Sequence, residues 1–338
     1  MQTRSPRLLL AALACGTTAF AVFRVLAAPQ EQPPQSAAKD KSSAPILLAQ
    51  ASPAPTPAGI GSQGGGATDA GANVPPEHKD WKLVWEDDFS KDGGKIDPKK
   101  WAFQIDGKGG GNGEAQYYTD DPKNASIDKD GNLVMTVVKE EKEGKHYTSS
   151  KLWTKGLYSV MYGRIEACVK APSAQAGNWP AFWMMPDEPS PYGGWPYCGE
   201  IDIMEMVNDA KTLYGTIHYG ATWRDKAGSQ VTAPAPDNDF SKDFHVYAVE
   251  WDKDQFRFYV DGKPYGKVDG KISDRQNQWW TAQYTYPAPF DQKFYLILNF
   301  AVGGDWPNNV VTPKRKLPDA DGQFPQTMLV KYVRVYQP

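Results

Sequence analysis

HVYAVEWDKDQFRFYVDG, residues 245–262, decides the class of fold. Two runs rich in β-branched and aromatic residues, HVYAVEW (245–251) and QFRFYV (255–260), flank Asp252-Lys253-Asp254. Asp261-Gly262 closes the second run. Asp and Gly accept the backbone conformations that tight reversals need, so the segment predicts antiparallel strands joined by hairpin turns. The same signature recurs in LVWEDDF (83–89), NLVMTVV (132–138), GLYSVMYGRIEACVKA (156–171), PAFWMM (180–185), LYGTIHYG (213–220), FYLILNF (294–300) and MLVKYVRVY (328–336). No long segment carries helical spacing of apolar residues. Many strands punctuated by Gly, Pro and Asp predict an all-β fold, a two-sheet antiparallel sandwich or barrel. Long strands curved across one face would supply a concave groove.

The whole chain has 338 residues, 40% hydrophobic and 12% aromatic, with a net charge of −3. So mild a balance leaves no electrostatic footprint for nucleic acid, and no nucleic-acid partner is expected. At the N-terminus, Arg4 and Arg7 precede LLLAALACGTTAFAVF, with small residues at 19–21 and 25–28. These are the parts of a secretory signal peptide over residues 1–28, which predicts a secreted, periplasmic or cell-surface protein. Arg24 blurs the cleavage site, and an uncleaved or lipid anchor stays open. Residues 29–76 are rich in Pro, Ala, Gly, Ser and Gln and hold no aromatic residue. They cannot bury enough apolar surface to offset ordering entropy, and read as a disordered linker. Residues 77–338 read as one globular domain, expected to be monomeric.

Within that domain Cys168 and Cys198 are the only cysteines, and either a disulfide or two buried thiols would suit them. No Cys/His cluster has zinc spacing, and no phosphate-binding glycine loop or G-x-S-x-G occurs. Zinc, nucleotide and serine-triad chemistries therefore lack their parts.

GEIDIMEMVN (199–208) sets three carboxylates, Glu200, Asp202 and Glu205, into an apolar run. Burying one unpaired carboxylate is costly, and three together repel. Alternation puts Glu200 and Asp202 on one face, while the odd interval sends Glu205 to the other. One extra residue near Ile203-Met204, a β-bulge, would bring all three together. The two glutamates would then stand about four strand rises apart, and inward-leaning side chains would leave their carboxyls about 5 Å apart. That separation suits retaining glycoside hydrolysis, with one carboxylate as nucleophile and the other as acid/base. Asp202 between them would orient Glu200 and help keep Glu205 protonated. Aromatic residues suited to stacking on sugar rings crowd the approach, in GNWPAFWMMP (177–186) and YGGWPYCGE (192–200).

The chain resembles glycoside hydrolase family 16, and within it the laminarinase-like endo-β-1,3-glucanases. The likeness runs through NGEAQYYT (112–119), YGRIEACVKAP (162–172), WPAFWMMP (179–186), GEIDIMEMVN (199–208), GTIHYG (215–220), YAVEWDKDQFRFYVDG (247–262) and FYLILNFAVGG (294–304). It implies a β-jelly-roll sandwich, with Glu200 as nucleophile, Asp202 as helper and Glu205 as acid/base. It also implies Asn112 facing the cleft, Trp179 and Trp195 as stacking walls, and His218 near the acids. Each of the last four has a plainer structural reading, as turn residue, core aromatic or satisfied histidine. Trp183 is expected in the core.

Two positions depart from the pattern. Asp88 is a candidate ligand for the structural calcium of many relatives, but Lys331 stands where the last strand would carry an aspartate. An ammonium repels a cation, so no cofactor is expected to be required. Lys151 stands where relatives often carry arginine. The expected substrate is a β-1,3-glucan, cleaved internally with retention. Mixed-linkage β-glucan, an agar-type galactan, or glucan binding without catalysis on the same fold are the alternatives.

Overall fold

The computed structural model describes residues 78–90, 94–221, 226–269, 279–281, 284–310 and 322–338. The expected signal peptide and linker lie outside the described residues.

The 245–262 segment folds as read. His245–Trp251 pairs antiparallel with Gln255–Val260, which turns at Asp261 and Gly262 and pairs back with Lys263–Asp269. Asp261 and Gly262 have φ of 50° and 71°, the left-handed pair that a two-residue hairpin needs to match strand twist.

Among the described residues the strands form two sheets of ten and nine. The larger runs Lys263–Asp269, Gln255–Val260, His245–Trp251, Gly163–Lys170, Gln326–Gln337, Leu133–Lys142, Lys145–Ser149, Gln116–Tyr118, with Lys82–Asp87 also on Gln326–Gln337 and Ala125–Ile127 on Leu133–Lys142. The smaller runs Tyr284–Thr285, Trp280–Thr281, Thr212–Gly220, Glu200–Glu205, Asn178–Pro186, Phe294–Val302, Lys151–Trp153, Ala102–Phe103, with Lys226–Pro234 also on Thr212–Gly220. Pairing is antiparallel except at two short contacts, Gly220 with Thr281 and Gln116–Tyr118 with Lys145–Ser149. The core lies between the sheets: Ile165, Val169, Val249 and Val333 from one meet Phe182, Ile201, Leu296 and Leu298 from the other. Alternate residues of the central strands supply most of it, as pleating dictates. The architecture is the β-jelly-roll sandwich expected.

The 156–171 segment forms a strand only from Gly163. Gly156 and Tyr162 take positive φ, which ends extended structure before it. At Gly163 a Cβ would lie 2.3 Å from the carbonyl oxygen of Tyr336, so only glycine lets the last strand approach there. The strand Gly163–Lys170 is buried on both faces. On its outer face Arg164 donates to Glu166 at 2.8 Å and to Glu250 at 3.2 Å, which pairs the charges that burial would otherwise penalise. Cys168 and Cys198 are both free and buried, and burial pushes each thiol up to about 12.

Candidate active site

The carboxylate strand carries the expected irregularity. Asp202 pairs with Thr216 and Glu205 with Tyr214, so three steps on one strand meet two on its neighbour. On the other side the register slips between Asp202 and Met204. Ile203 and Met204 consequently both point into the core, and Glu205 returns to the face of Glu200 and Asp202. All three line one cavity of about 520 Å³, together with Asn112, Trp179, Trp195 and His218. The seven residues singled out in the sequence thus meet in one cleft.

Two indoles hold the outer carboxylates. Trp195 Nε1 donates to Glu200 Oε2 at 2.6 Å, and Trp179 Nε1 to Glu205 Oε1 at 2.9 Å. Trp179 is only 9% exposed, packs edge-on against Trp306 and lines the cavity. Asp202 is 1% exposed, and burial, then the charge of Glu200 and a hydrogen bond with it, raise its pKa well above the ordinary carboxylate range. Glu205, 8% exposed, is raised likewise by burial and then by Asp202. Its bond from Trp179 and the nearby His218 act in the opposite sense. Both effects follow from desolvation, which disfavours the charged form of an acid. Such a group can carry a proton where a solvated carboxylate has lost it.

His218 pairs across the sheet with Glu200, and its Nε2 lies 3.2 Å from Asp202 Oδ2. Asn112 follows the turn Gly109–Gly111, and its carbonyl accepts from Asp305 N at 2.7 Å. A Cβ on Gly304 would fall 2.9 Å from that carbonyl oxygen, so the glycine allows this loop to seat Trp306 at the cavity edge.

Trp183 corrects the expectation that it packs in the core. It lines the cavity, because it lies four residues after Trp179 and even intervals share a face. Its Nε1 donates to Asn299 Oδ1, and the Lys151 ammonium stands 4.6 Å from its ring centre. Lys151 is 8% exposed, and burial lowers its pKa against the opposing pull of Glu114, Glu200 and Asp106. Glu114, Gln230, Asn299 and Trp306 also line the cleft and were missed by sequence reasoning. Glu114 accepts from Gln116 at 2.7 Å and from the Tyr118 hydroxyl at 3.2 Å. Alternation within Trp179–Met185 could have found Trp183; the others come from distant segments with no local signal.

Among the described residues, Glu200, Asp202 and His218 are the one grouping of three metal-ligand side chains. Asp88, the calcium candidate, is in no such group; its Oδ1 accepts from Ser90 N and Oγ. Its neighbour Asp87 is the buried acid there, bonded by Lys100 and Trp101.

Residues 112–313 match the family described as Glycosyl hydrolases family 16. A beta-glucanase of Rhodothermus marinus is 39% identical over 267 residues, covering 76% of this chain and 85% of that protein. A keratan-sulfate endo-1,4-beta-galactosidase of Sphingobacterium multivorum is 35% identical over 263 residues, 76% of this chain and 56% of that protein. Among solved structures, the catalytic domain of an endo-1,3-beta-glucanase (laminarinase) from Thermotoga petrophila RKU-1 superposes with a TM-score of 0.64 at 40% identity. That likeness covers 76% of this chain and 98% of the other.

Proposed function

The chain belongs to glycosyl hydrolases family 16, and from that premise we propose that it cleaves β-1,3-glucan internally, with retention of anomeric configuration. It is a glycoside hydrolase. The observation that carries the reading is the bulged strand: it turns Glu200, Asp202 and Glu205 into one cleft, with an indole N–H on each outer carboxylate.

In this reading Glu200 attacks the anomeric carbon and forms a glycosyl-enzyme. Glu205, kept protonated by its burial and by Asp202, donates its proton to the departing glycosidic oxygen. The glucan fragment leaves with that proton. Glu205, now ionised, takes a proton from water, whose oxygen attacks the same carbon and frees Glu200. Asp202 orients Glu200 through their hydrogen bond. Trp195 Nε1–H steadies the Glu200 oxygen as its charge changes between the two steps. Asn112, Trp183, Trp195 and His218 offer the sugar polar and aromatic contacts along the cleft. The reaction needs no cofactor.

A second reading, hydrolysis of another β-linked polysaccharide, draws on the galactosidase relative at 35% identity. Reducing-sugar release from laminarin, barley β-glucan, lichenan and agarose, measured side by side, decides between them. Fastest release from laminarin is expected; fastest release from agarose would transfer the assignment to a galactan. Export through residues 1–28 completes the proposal.

A further inference from the structure

One ligand-type atom each from Glu200, Asp202 and His218 lie within 4.8 Å of one another. His218 Nε2 and Asp202 Oδ2 are 3.2 Å apart, close to the roughly 3.3 Å edge of a tetrahedron with metal–ligand bonds of about 2.0 Å. A second observation points to a ligand. Asp202 is 1% exposed, yet its Oδ2 receives no hydrogen bond among the described residues. With only His218 Nε2 at 3.2 Å beside it, that buried oxygen has unmet demand that a cation held between the two would satisfy.

The histidine is built to face it. His218 pairs with Gly228 on the outer strand, and a Cβ there would lie 3.2 Å from Nδ1. Glycine leaves the ring its seat, with Nε2 turned toward Asp202. With 34% of its side chain exposed, His218 is reachable from the cleft.

We propose that Glu200, Asp202 and His218 form an inhibitory site for a borderline divalent cation, represented by Zn²⁺. Carboxylate oxygen and imidazole nitrogen are both ligand types that Zn²⁺ takes, and three protein ligands leave a fourth position open. Ca²⁺ and Mg²⁺ call for six or more oxygen ligands and are poorly served here. Glu205 lies outside the grouping of three. A bound cation occupies the Glu200 oxygens that would attack the anomeric carbon and blocks the cleft above them. The inhibition rests on the function proposed above; the binding does not.

Calorimetric titration of the full chain with ZnCl₂, with CaCl₂ and MgCl₂ as controls, tests the site without reference to activity. One Zn²⁺ per chain is expected, with no comparable heat from Ca²⁺ or Mg²⁺. His218→Asn should weaken Zn²⁺ binding by at least about tenfold. Glu205→Gln should bind Zn²⁺ as the wild type does, although it hydrolyses nothing. In the wild type, Zn²⁺ should inhibit laminarin hydrolysis and EDTA should restore it. Should His218→Asn fail to fold, Co²⁺ titration of the wild type takes its place, and a visible band of a four-coordinate nitrogen–oxygen site is expected. Absence of Zn²⁺ binding, an unweakened His218→Asn, or a purely six-coordinate Co²⁺ spectrum overturns the proposal. His218-dependent Zn²⁺ binding by a chain inactive on every glucan upholds the site and overturns the function.

Discussion

Trp179 Nε1 donates a 2.9 Å hydrogen bond to Glu205 Oε1, and that bond opposes the burial which raises the Glu205 pKa. The donor favours the ionised carboxylate, whereas acid catalysis needs the protonated one. Trp179→Phe keeps most of the packing against Trp306 and removes the donor. The Glu205 pKa should rise further, so the alkaline limb of the kcat/KM profile should move to higher pH. A limb that stays in place or moves down would separate Glu205 from proton donation.

Glu200→Gln and Glu205→Gln keep size and remove the ionisable group. Each should lower kcat/KM on laminarin by about 10³-fold or more while leaving glucan binding measurable. Glu205→Ala should recover part of its rate with a substrate carrying a good leaving group, or with added azide. Near-wild-type turnover by either glutamine variant would refute the assignment.

Asp202 links the site to stability. Its folded-state pKa is raised by burial and by Glu200, above an unfolded value of about 3.9. The folded state therefore binds more protons, and its stability falls as pH rises from about 4 through the folded pKa. Asp202→Asn does not ionise and escapes that loss. Its Tm should exceed that of the wild type at neutral pH, with the gap closing toward about pH 4. Its activity should fall, though less than that of Glu200→Gln. Thermal melts across pH decide this, and equal Tm values at neutral pH would exclude a raised Asp202.

Export is testable at the N-terminus. Secreted material should begin between about residues 20 and 30, and N-terminal sequencing reads this directly. Removal of residues 1–76 should leave kcat and KM unchanged, since every cavity-lining residue lies at or beyond Gly110. Intact Met1 on cytoplasmic protein, or loss of activity on truncation, would count against it.

Retention is read from the first product. With both glutamates on one face of one strand and Glu200 as nucleophile, hydrolysis proceeds by double displacement. Proton NMR during early laminarin cleavage should show the β-anomer before mutarotation mixes the two. An initial α-anomer would mean that water attacks directly.

Much of this was legible in the chain because strand structure obeys a period of two. Asp261-Gly262 marked its hairpin, since few other pairs accept two left-handed residues. Glu200 and Asp202 were bound to share a face, and Glu205 could join them only through an extra residue. The two consecutive core residues, Ile203 and Met204, are that device. The same period, applied from Trp179, places Trp183 in the cleft rather than in the core where it was expected.

What only the tertiary structure decided is which distant strands lie beside that motif. Lys151 pairs with Asn299, Asn299 with Ala181, and Ala181 with Glu205, in one row across four strands. Those residues are far apart in the chain, and nothing local in SSKLW or LILNF announces their meeting. Trp306, on the short helix Asp305–Val310, reaches the cavity edge through an approach that depends on Gly304 and the Asn112 carbonyl. The pattern of side chains along a strand is a local property of the backbone pleat. The order of strands is set by how two whole sheets bury their apolar faces against each other, and that is a property of the assembled chain.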